Sequence, residues 1–256
     1  MDGGLTAGYR RTGWGNGRVT VVPAAAVAVQ PRGDAGSGGY TATVDPSSWI
    51  PPTIRDITRQ LPTRATWEPG QYALLRVAPY QWRPYSLATP SGRFVRLLVD
   101  TRTRGHGAAW ATHATPGDQV TLELPYGHFL HDTAAGGTHA DTPSPCRRVF
   151  VATGTGIAPF LAEFERGIRA DDILLLGLAT TSDDLTTRLD APLPHVIRCV
   201  SREKTPETFH GRVTDYLRTT GIDPQADYYV CGSPLMVTDV AHLIRAAGGY
   251  VHTESF

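Results

Sequence analysis

Two glycine-bearing segments in the second half of the chain have the pattern of a nucleotide-binding crevice. Gly154, Thr155 and Gly156 separate an apolar run from a helix-like pattern, where free backbone N–H groups could receive a pyrophosphate. Cys231 and Gly232 end a later apolar run. In an open α/β sheet of order 3-2-1-4-5 the first and fourth strands are neighbours, so both turns should flank one crevice. Taken separately, each segment has a simpler explanation. The first could be an ordinary strand-to-helix turn, and Cys231 could be a small buried core residue.

A hydroxyl and two arginines could bind a phosphate near the end of the third strand of this half. Ser201 and Arg202 follow that strand directly, and Arg212 opens the next helix. Arginine suits this task because its guanidinium binds phosphate oxygens in a fork. The alternative is a solvated loop with unrelated charges.

The segment Arg83-Pro84-Tyr85-Ser86 in the first half offers a second set of binding groups. The arginine could hold a pyrophosphate through two parallel hydrogen bonds. The tyrosine offers an aromatic face with a polar tip. In a strand the serine would point to the opposite side from the tyrosine. By itself, however, the segment is equally compatible with a plain surface strand.

The elements that must position these residues change character near residue 148. The first half reads as short strands between turn residues, which is typical of an antiparallel barrel. We predict a flexible terminus over 1–17, a barrel domain over 18–130 and a surface loop over 131–147. The predicted strands are Arg18–Val22, Gly39–Val44, Thr53–Gln60, Gln71–Ala78, Tyr85–Thr89, Phe94–Thr101 and Gln119–Leu124.

The second half, 148–256, alternates strands with helices, which predicts a parallel sheet covered on both faces. The predicted strands are Arg148–Ala152, Ile173–Gly177, His195–Val200, Tyr228–Cys231 and Tyr250–Thr253. The predicted helices are Ile157–Ala170, Asp183–Leu189, Arg212–Thr219 and Leu235–Ala247.

Composition excludes several classes of protein. Lys plus Arg and Asp plus Glu both number 24, which argues against a nucleic-acid surface. Three cysteines without a C-x-x-C pair predict neither disulfides nor an iron–sulfur cluster. The histidines and aspartates of the 131–147 loop lack tight ligand spacing, so no metal site is predicted. No apolar run reaches the roughly 18 to 20 residues of a membrane helix, and 1–17 lacks the apolar core of a signal peptide. We therefore expect a cytoplasmic protein.

The order of motifs along the chain resembles the ferredoxin–NADP reductase family over residues 53 to 256. The motifs are EPGQY, RPYS, GHGAAW, PYGHF, GTGIAPF, SRE, GR, CGSPLM and ESF. The resemblance implies an antiparallel β-barrel flavin-binding domain followed by an α/β parallel-sheet domain that binds NAD(P). It implies FAD as the cofactor, with FMN as the less favoured flavin, and NADPH favoured over NADH as the substrate.

The resemblance also implies a role for each residue of the flavin site. Arg83 and Pro84 would lie at the FAD pyrophosphate, Tyr85 would stack on the isoalloxazine, and Ser86 would hydrogen-bond near N5. Val99 and Thr101 would line the ribityl chain and phosphates. Gly107 and Ala108 match a second pyrophosphate motif, in which Ala108 replaces a serine found in many members and so removes one hydroxyl donor.

The nucleotide site is assigned through the same resemblance. Gly154, Thr155, Gly156 and Gly232 would form the nicotinamide-nucleotide turns, and Cys231 would lie beside the reacting nicotinamide carbon. Ser201, Arg202 and Arg212 resemble 2′-phosphate contacts, although Thr180 stands where some NADPH-using members have an arginine. Glu254 would tune protonation near N5, and Phe256 would cover the flavin ring until nicotinamide displaces it. Ser86, Cys231 and Glu254 are the expected catalytic residues.

The implied reaction is hydride transfer from NADPH to flavin, followed by release of single electrons. Because the cysteines cannot supply a ferredoxin domain, the acceptor is expected to be a separate ferredoxin, flavodoxin or oxygenase component. One alternative is a free-flavin or ferric-siderophore reductase on the same scaffold. Others are a non-catalytic nucleotide-binding module and an electron-transfer subunit of a larger enzyme, a class that usually adds a cysteine cluster.

Overall fold

The computed structural model describes residues 38–44, 48–50, 53–130 and 146–255. The expected terminus 1–17, the predicted strand Arg18–Val22, nearly all of the 131–147 loop and Phe256 lie outside these ranges.

The first domain is an antiparallel sheet that curls into a half-barrel. Its strands are β1 (Gly38–Val44), β2 (Ser48–Ile50), β3 (Ile54–Ala65), β4 (Tyr72–Ala78), β5 (Gln81–Ser86), β6 (Gly92–Asp100) and β7 (Gln119–Tyr126), and helix α1 (His106–His113) joins the last two. The strands pair in the order β2-β3-β1-β7-β4-β5, with β6 beside β3. The two open sides of the sheet meet where the Ala88 N–H donates to the Arg96 carbonyl at 2.9 Å.

The second domain is a six-stranded parallel sheet. Its elements are β8 (Arg148–Thr153), α2 (Ala158–Arg166), β9 (Ile173–Leu178), β10 (His195–Val200), β11 (Phe209–His210), α3 (Val213–Thr220), β12 (Asp227–Gly232), α4 (Pro234–Ala246) and β13 (Tyr250–Ser255). The order β11-β10-β9-β8-β12-β13 is the predicted 3-2-1-4-5 arrangement with a short strand added at one edge. A barrel followed by a parallel α/β domain is therefore confirmed.

Helices cover both faces of the parallel sheet. On one face Phe160 and Phe164 of α2 pack against Phe150 of β8. On the other face α3 and α4 pack against Val149 and Val151. Strand β8 is buried on both faces, which explains why its sequence is continuously apolar.

The structure corrects several predicted elements. The segment predicted as helix Asp183–Leu189 forms two short 3₁₀ turns, Thr181–Asp183 and Leu185–Thr187. The carboxylates of Asp183 and Asp184 accept from the Thr180 and Thr186 backbone N–H groups, and such local bonds compete with an α-helix.

The strand predicted at Tyr85–Thr89 instead runs from Gln81 to Ser86. It contains Pro84, which a strand at the end of the pairing order tolerates because a ladder donor is not needed there. The helix predicted to reach Ala170 ends at Arg166. Helix α1 and strands β2 and β11 were not predicted.

Candidate active site between the two domains

Ser86, Cys231 and Glu254 meet where the two domains face each other. Ser86 ends β5, while Cys231 and Glu254 are register partners on β12 and β13. The Ser86 hydroxyl donates to a Glu254 carboxylate oxygen at 3.5 Å, across 168 residues of sequence. The three residues expected to be catalytic therefore form one cluster.

Burial controls the charge state of this cluster. It raises the pKa of the Glu254 carboxyl to about 8, although the hydrogen bond from Ser86 acts in the opposite direction. Burial, together with the Glu254 charge, also raises the pKa of the Cys231 thiol well above its usual value. Because Cys231 is fully buried, it is a neutral thiol and not a thiolate nucleophile.

Two tyrosines that were not predicted as site residues border the cluster. Tyr72 is the register partner of both Ser86 and Tyr126, and its ring stacks on Tyr126 with centroids 5.8 Å apart. Burial and the nearby Glu254 charge raise the pKa of the Tyr72 phenol. Gly127 is needed beneath this ring, since a Cβ there would lie 2.8 Å from a Tyr72 ring carbon. The signal for Tyr72 was its position in the EPGQY motif.

Arg83 and Tyr85 lie on the side of β5 opposite Ser86, as strand alternation predicts. Tyr85 packs against Gly107 of α1 so closely that a Cβ on Gly107 would lie 2.0 Å from the tyrosine hydroxyl. Burial raises the pKa of Tyr85 to about 12, with nearby Arg83 acting in the opposite direction. Arg83 and Pro84 are exposed, and among the described residues the Arg83 guanidinium donates to two acceptors on its own strand, Trp82 and Gln81.

Helix α1 begins beside Arg83 with its first N–H groups uncapped by any side chain. Gly105 precedes the helix in an extended conformation. A cavity of about 340 Å³ opens at this end, and its lining includes Thr103, Arg104, His106 and Ala108. Uncapped helix N–H groups, hydroxyls and arginines are the donors that phosphate groups require, so the residues present fit the phosphate end of a flavin nucleotide.

The other two predicted flavin contacts are less free to bind. Val99 is 2% exposed and its side chain belongs to the barrel core. The Thr101 hydroxyl lines the cavity, but it donates to the Thr53 carbonyl at 2.7 Å. A ligand would therefore meet the hydroxyl oxygen of Thr101 as an acceptor.

The two predicted nucleotide turns touch each other. Gly154 has φ 54° and starts a 3₁₀ turn that includes Thr155 and leads into α2. A Cβ on Gly156 would lie 2.3 Å from the Cys231 carbonyl oxygen, so only glycine allows this approach. Gly232 meets Thr153 with similar closeness, and the Ser233 N–H donates to the Thr153 hydroxyl at 3.3 Å.

Ser201, Arg202 and Arg212 are also brought together. The Ser201 hydroxyl donates to the Leu178 carbonyl at 3.2 Å, and Arg202 is exposed beside it. The pairing of β10 with β11 places Gly211 against Val200, which brings exposed Arg212 next to this loop.

Sequence reasoning missed Glu203 in this loop. Its carboxylate accepts from the backbone N–H and the hydroxyl of Thr181 at 2.8 and 2.7 Å, which ties together the loops after β9 and β10. These hydrogen bonds lower the pKa of Glu203. The loop that carries the phosphate-binding candidates therefore contains a carboxylate as well as the two arginines.

Two further observations concern the part of the chain that the structure describes. None of its helices is both long enough and apolar enough to cross a membrane. Its histidines, cysteines and carboxylates do not form a group of three that could hold a metal ion.

The chain is similar in sequence to a known domain family and to several known proteins. Residues 150–242 match the family described as the oxidoreductase NAD-binding domain. The electron transfer subunit of dihydroorotate dehydrogenase B from Geobacillus thermodenitrificans is 27% identical over 73% of this chain and 71% of its own length. Reductase component 2 of terephthalate 1,2-dioxygenase from Comamonas is 26% identical over 78% of this chain, and the match covers 62% of the component.

Solved structures share the fold. A ferredoxin NADP⁺ reductase from Neisseria gonorrhoeae matches with a TM-score of 0.69 at 18% identity, over 87% of this chain and 99% of its own. An Amycolatopsis cytochrome P450 reductase matches with a TM-score of 0.71 at 22% identity, over 86% of this chain and 70% of its own.

The matched family and the two-domain fold together define an oxidoreductase whose second domain is of the NAD-binding type. Its fold and its motif order resemble those of ferredoxin–NADP reductases, as the sequence predicted.

Proposed function

We propose that this protein oxidises NADPH at a bound FAD and passes the electrons singly to a separate acceptor protein. The observation that carries the proposal is the contact between Ser86, at the end of the flavin-type strand, and Glu254, beside the nucleotide crevice. A contact that joins the two domains at this point suits a reaction between two cofactors held one on each side.

Bound flavin would accept hydride and release single electrons, and the protein would supply binding, orientation and electrostatics. Arg83 and the start of α1 would bind the phosphate end of the flavin nucleotide. Tyr85, which is held in place by its contact with Gly107, would lie at the end nearer the isoalloxazine ring. Ser86 would donate a hydrogen bond at the reacting edge. Glu254, with a pKa of about 8, would hold a proton there at neutral pH.

Cys231 would set the position of the nicotinamide. Its sulfur is fully buried, and its carbonyl packs on Gly156, so its strand end and the Gly154 turn form one rigid wall. Once the groups that now bury Cys231 move aside, its neutral, apolar thiol could pack against a nicotinamide ring without reacting with it.

The preference for NADPH over NADH rests on Ser201, Arg202 and Arg212. Both arginines are exposed and adjacent, so they could bind a 2′-phosphate as a pair. The preference for FAD over FMN rests on the 340 Å³ cavity at α1, which offers Thr103, Arg104 and His106 to a second phosphate despite the missing hydroxyl at Ala108.

The acceptor is proposed to be a ferredoxin, a flavodoxin or an oxygenase component. This is supported by the likeness to reductase components of oxygenase systems, although the chain spans only 62% of the Comamonas component. The proposal includes a cytoplasmic location, since Cys199 and Cys231 are free thiols, which suit a reducing compartment.

The test begins with the visible spectrum of the purified protein, followed by anaerobic titration with NADPH and NADH. We expect flavin absorbance that bleaches with NADPH at lower concentration than with NADH. A protein that stays colourless after incubation with FAD would refute the proposal. Steady-state rates are then compared across ferredoxin, flavodoxin, free flavin and a ferric chelate. Faster reduction of the last two would favour a free-flavin or ferric reductase instead.

The likeness to the Geobacillus subunit favours a second candidate, in which the chain is the electron-transfer subunit of a larger enzyme. In that case a partner enzyme should co-purify and gain NAD(P)H-dependent activity when this chain is added. Turnover with a free carrier but without any such partner would argue against it.

A further inference from the structure

Strand β3 carries two buried arginines on the face that lines the barrel. Arg55 is 7% exposed and Arg59 is fully buried, and both lie on the same face as the core residues Ile57 and Leu61. An arginine is almost never buried this deeply unless its charge is paired with another group. Two of them on one strand face therefore require a physical reason.

Both arginines contact the C-terminal half of helix α1. The Arg55 guanidinium donates to the carbonyl of Ala114, the C-cap residue, at 2.8 Å. The Arg59 guanidinium lies over the Trp110 ring, with 4.6 Å between its central carbon and the ring centroid. A cation near a helix C-terminus offsets the partial negative charge of the last carbonyls, and a guanidinium over an indole adds a cation–π attraction.

The opposite end of the same helix forms the phosphate cradle. Gly107 packs on the Tyr85 hydroxyl, and the uncapped first turn faces the cavity that Arg104 and His106 line. Trp110 lies three residues after Gly107 and therefore about one helical turn away on nearly the same face. A shift of α1 that released Trp110 would also displace its first-turn N–H groups relative to the cavity.

We propose that Arg55 and Arg59 are positioning residues for the phosphate end of the flavin site. They fix the rotation and the axial position of α1, so that its first-turn N–H groups are aimed at the phosphates before the ligand arrives. The ligand concerned is a flavin nucleotide with one or two phosphates, and the isoalloxazine end is unaffected. The inference rests on the proposed function, because it requires a phosphorylated flavin at α1.

The test compares flavins that differ only at the phosphate end. The full-length protein, stripped of flavin, is titrated with FAD, FMN and riboflavin while flavin fluorescence is followed. Arg59→Met removes the cation and keeps a side chain of similar length. Arg96→Met is the matched control: the Arg96 guanidinium pairs with Asp56 on the neighbouring barrel strand, and within the part of the chain that the structure describes it makes no hydrogen bond to α1.

We expect Arg59→Met to raise the Kd for FAD roughly tenfold, by analogy with the loss of residues that orient the ligands of a metal site. The Kd for riboflavin should stay at the wild-type value, because riboflavin has no phosphate. Arg59→Lys, which keeps the charge without the planar stack, should recover part of the loss. Arg96→Met should lower thermal stability without changing the ratio of the two Kd values.

Three outcomes would overturn the inference. Equal weakening of FAD and riboflavin would mean general damage to the barrel, and an unchanged Kd for FAD would mean that the helix needs no such support. If Arg59→Met does not fold, Trp110→Phe is measured in the same way and must show the same selective loss. If the wild-type protein binds no flavin at all, the proposed function fails, and the inference fails with it.

Discussion

Replacing Glu254 with glutamine should remove a pH dependence of stability that the wild-type protein carries. Burial raises the pKa of this carboxyl from 4.5 to about 8 in the folded protein. The folded state therefore binds the proton more tightly than the unfolded state between these two values. The stability that protonated Glu254 contributes is fully present below pH 4.5 and is lost as the pH rises through about 8.

The size of the effect follows from the shift. A change of about 3.5 pKa units corresponds to about 5 kcal/mol in total, at 1.36 kcal/mol for each unit. Of this, about 4 kcal/mol should be lost between roughly pH 5 and pH 9, because part of the change lies below that range. Glutamine has the same shape and no charge, so Glu254→Gln should not show this loss.

The assay is urea unfolding followed by circular dichroism across that pH range, with the same excess of FAD in each sample. The unfolding free energy of the variant should exceed that of the wild-type protein increasingly as the pH rises. Glu207→Gln replaces an exposed carboxylate outside the Ser86–Glu254 cluster and provides the matched control, which should not show this growing difference. A constant difference between wild type and Glu254→Gln at every pH, or a difference of opposite sign, would refute the reasoning.

Three further substitutions test separate parts of the site. Tyr85→Ala should weaken flavin retention during dialysis, because the ring and hydroxyl that pack on α1 are lost; wild-type retention would contradict this role. Arg202→Ala should raise the KM for NADPH and leave the KM for NADH nearly unchanged, whereas equal effects on both would remove the 2′-phosphate argument. Gly156→Ala adds a methyl group 2.3 Å from the Cys231 carbonyl oxygen and should cost about 1–3 kcal/mol of stability and weaken nucleotide binding. The control is Gly92→Ala, where a Cβ meets nothing within 4 Å, and this variant should keep both its stability and its nucleotide binding. Normal nucleotide binding by Gly156→Ala would show that the two turns need not touch.

Strong periodic patterns in the sequence predicted most of the fold correctly. The continuously apolar strands of the second domain and the alternating strands of the first were located because burial on two faces or on one leaves different patterns. The helix expected at Asp183–Leu189 failed because short-range bonds from two aspartates close 3₁₀ turns instead. Helix α1 was missed because its eight residues, which include Gly107, have little amphipathic pattern.

The chemical types in the site were also readable from the sequence. Motif order alone indicated a flavin strand at Arg83–Ser86 and a nucleotide turn at Gly154–Gly156. Glu203 and Tyr72 were not singled out as site residues, although both stand in quoted motifs, SRE and EPGQY, because residue type and spacing do not tell which motif residues make the contacts. Their importance comes from what they contact: the Thr181 N–H in one case, and the Ser86–Glu254 cluster in the other.

The sequence by itself determined which groups are available for the proposed site: an arginine and a tyrosine for the proposed flavin, two glycine turns for the proposed nucleotide, and a serine, a cysteine and an acid as the expected catalytic residues. Only the tertiary structure decided how they act. Ser86 and Glu254 lie 168 residues apart and meet through the packing of two domains. The raised pKa of Glu254 and the neutral thiol of Cys231 come from burial at that junction, which no local pattern encodes. Long-range contact sets their solvation, and solvation sets their charge.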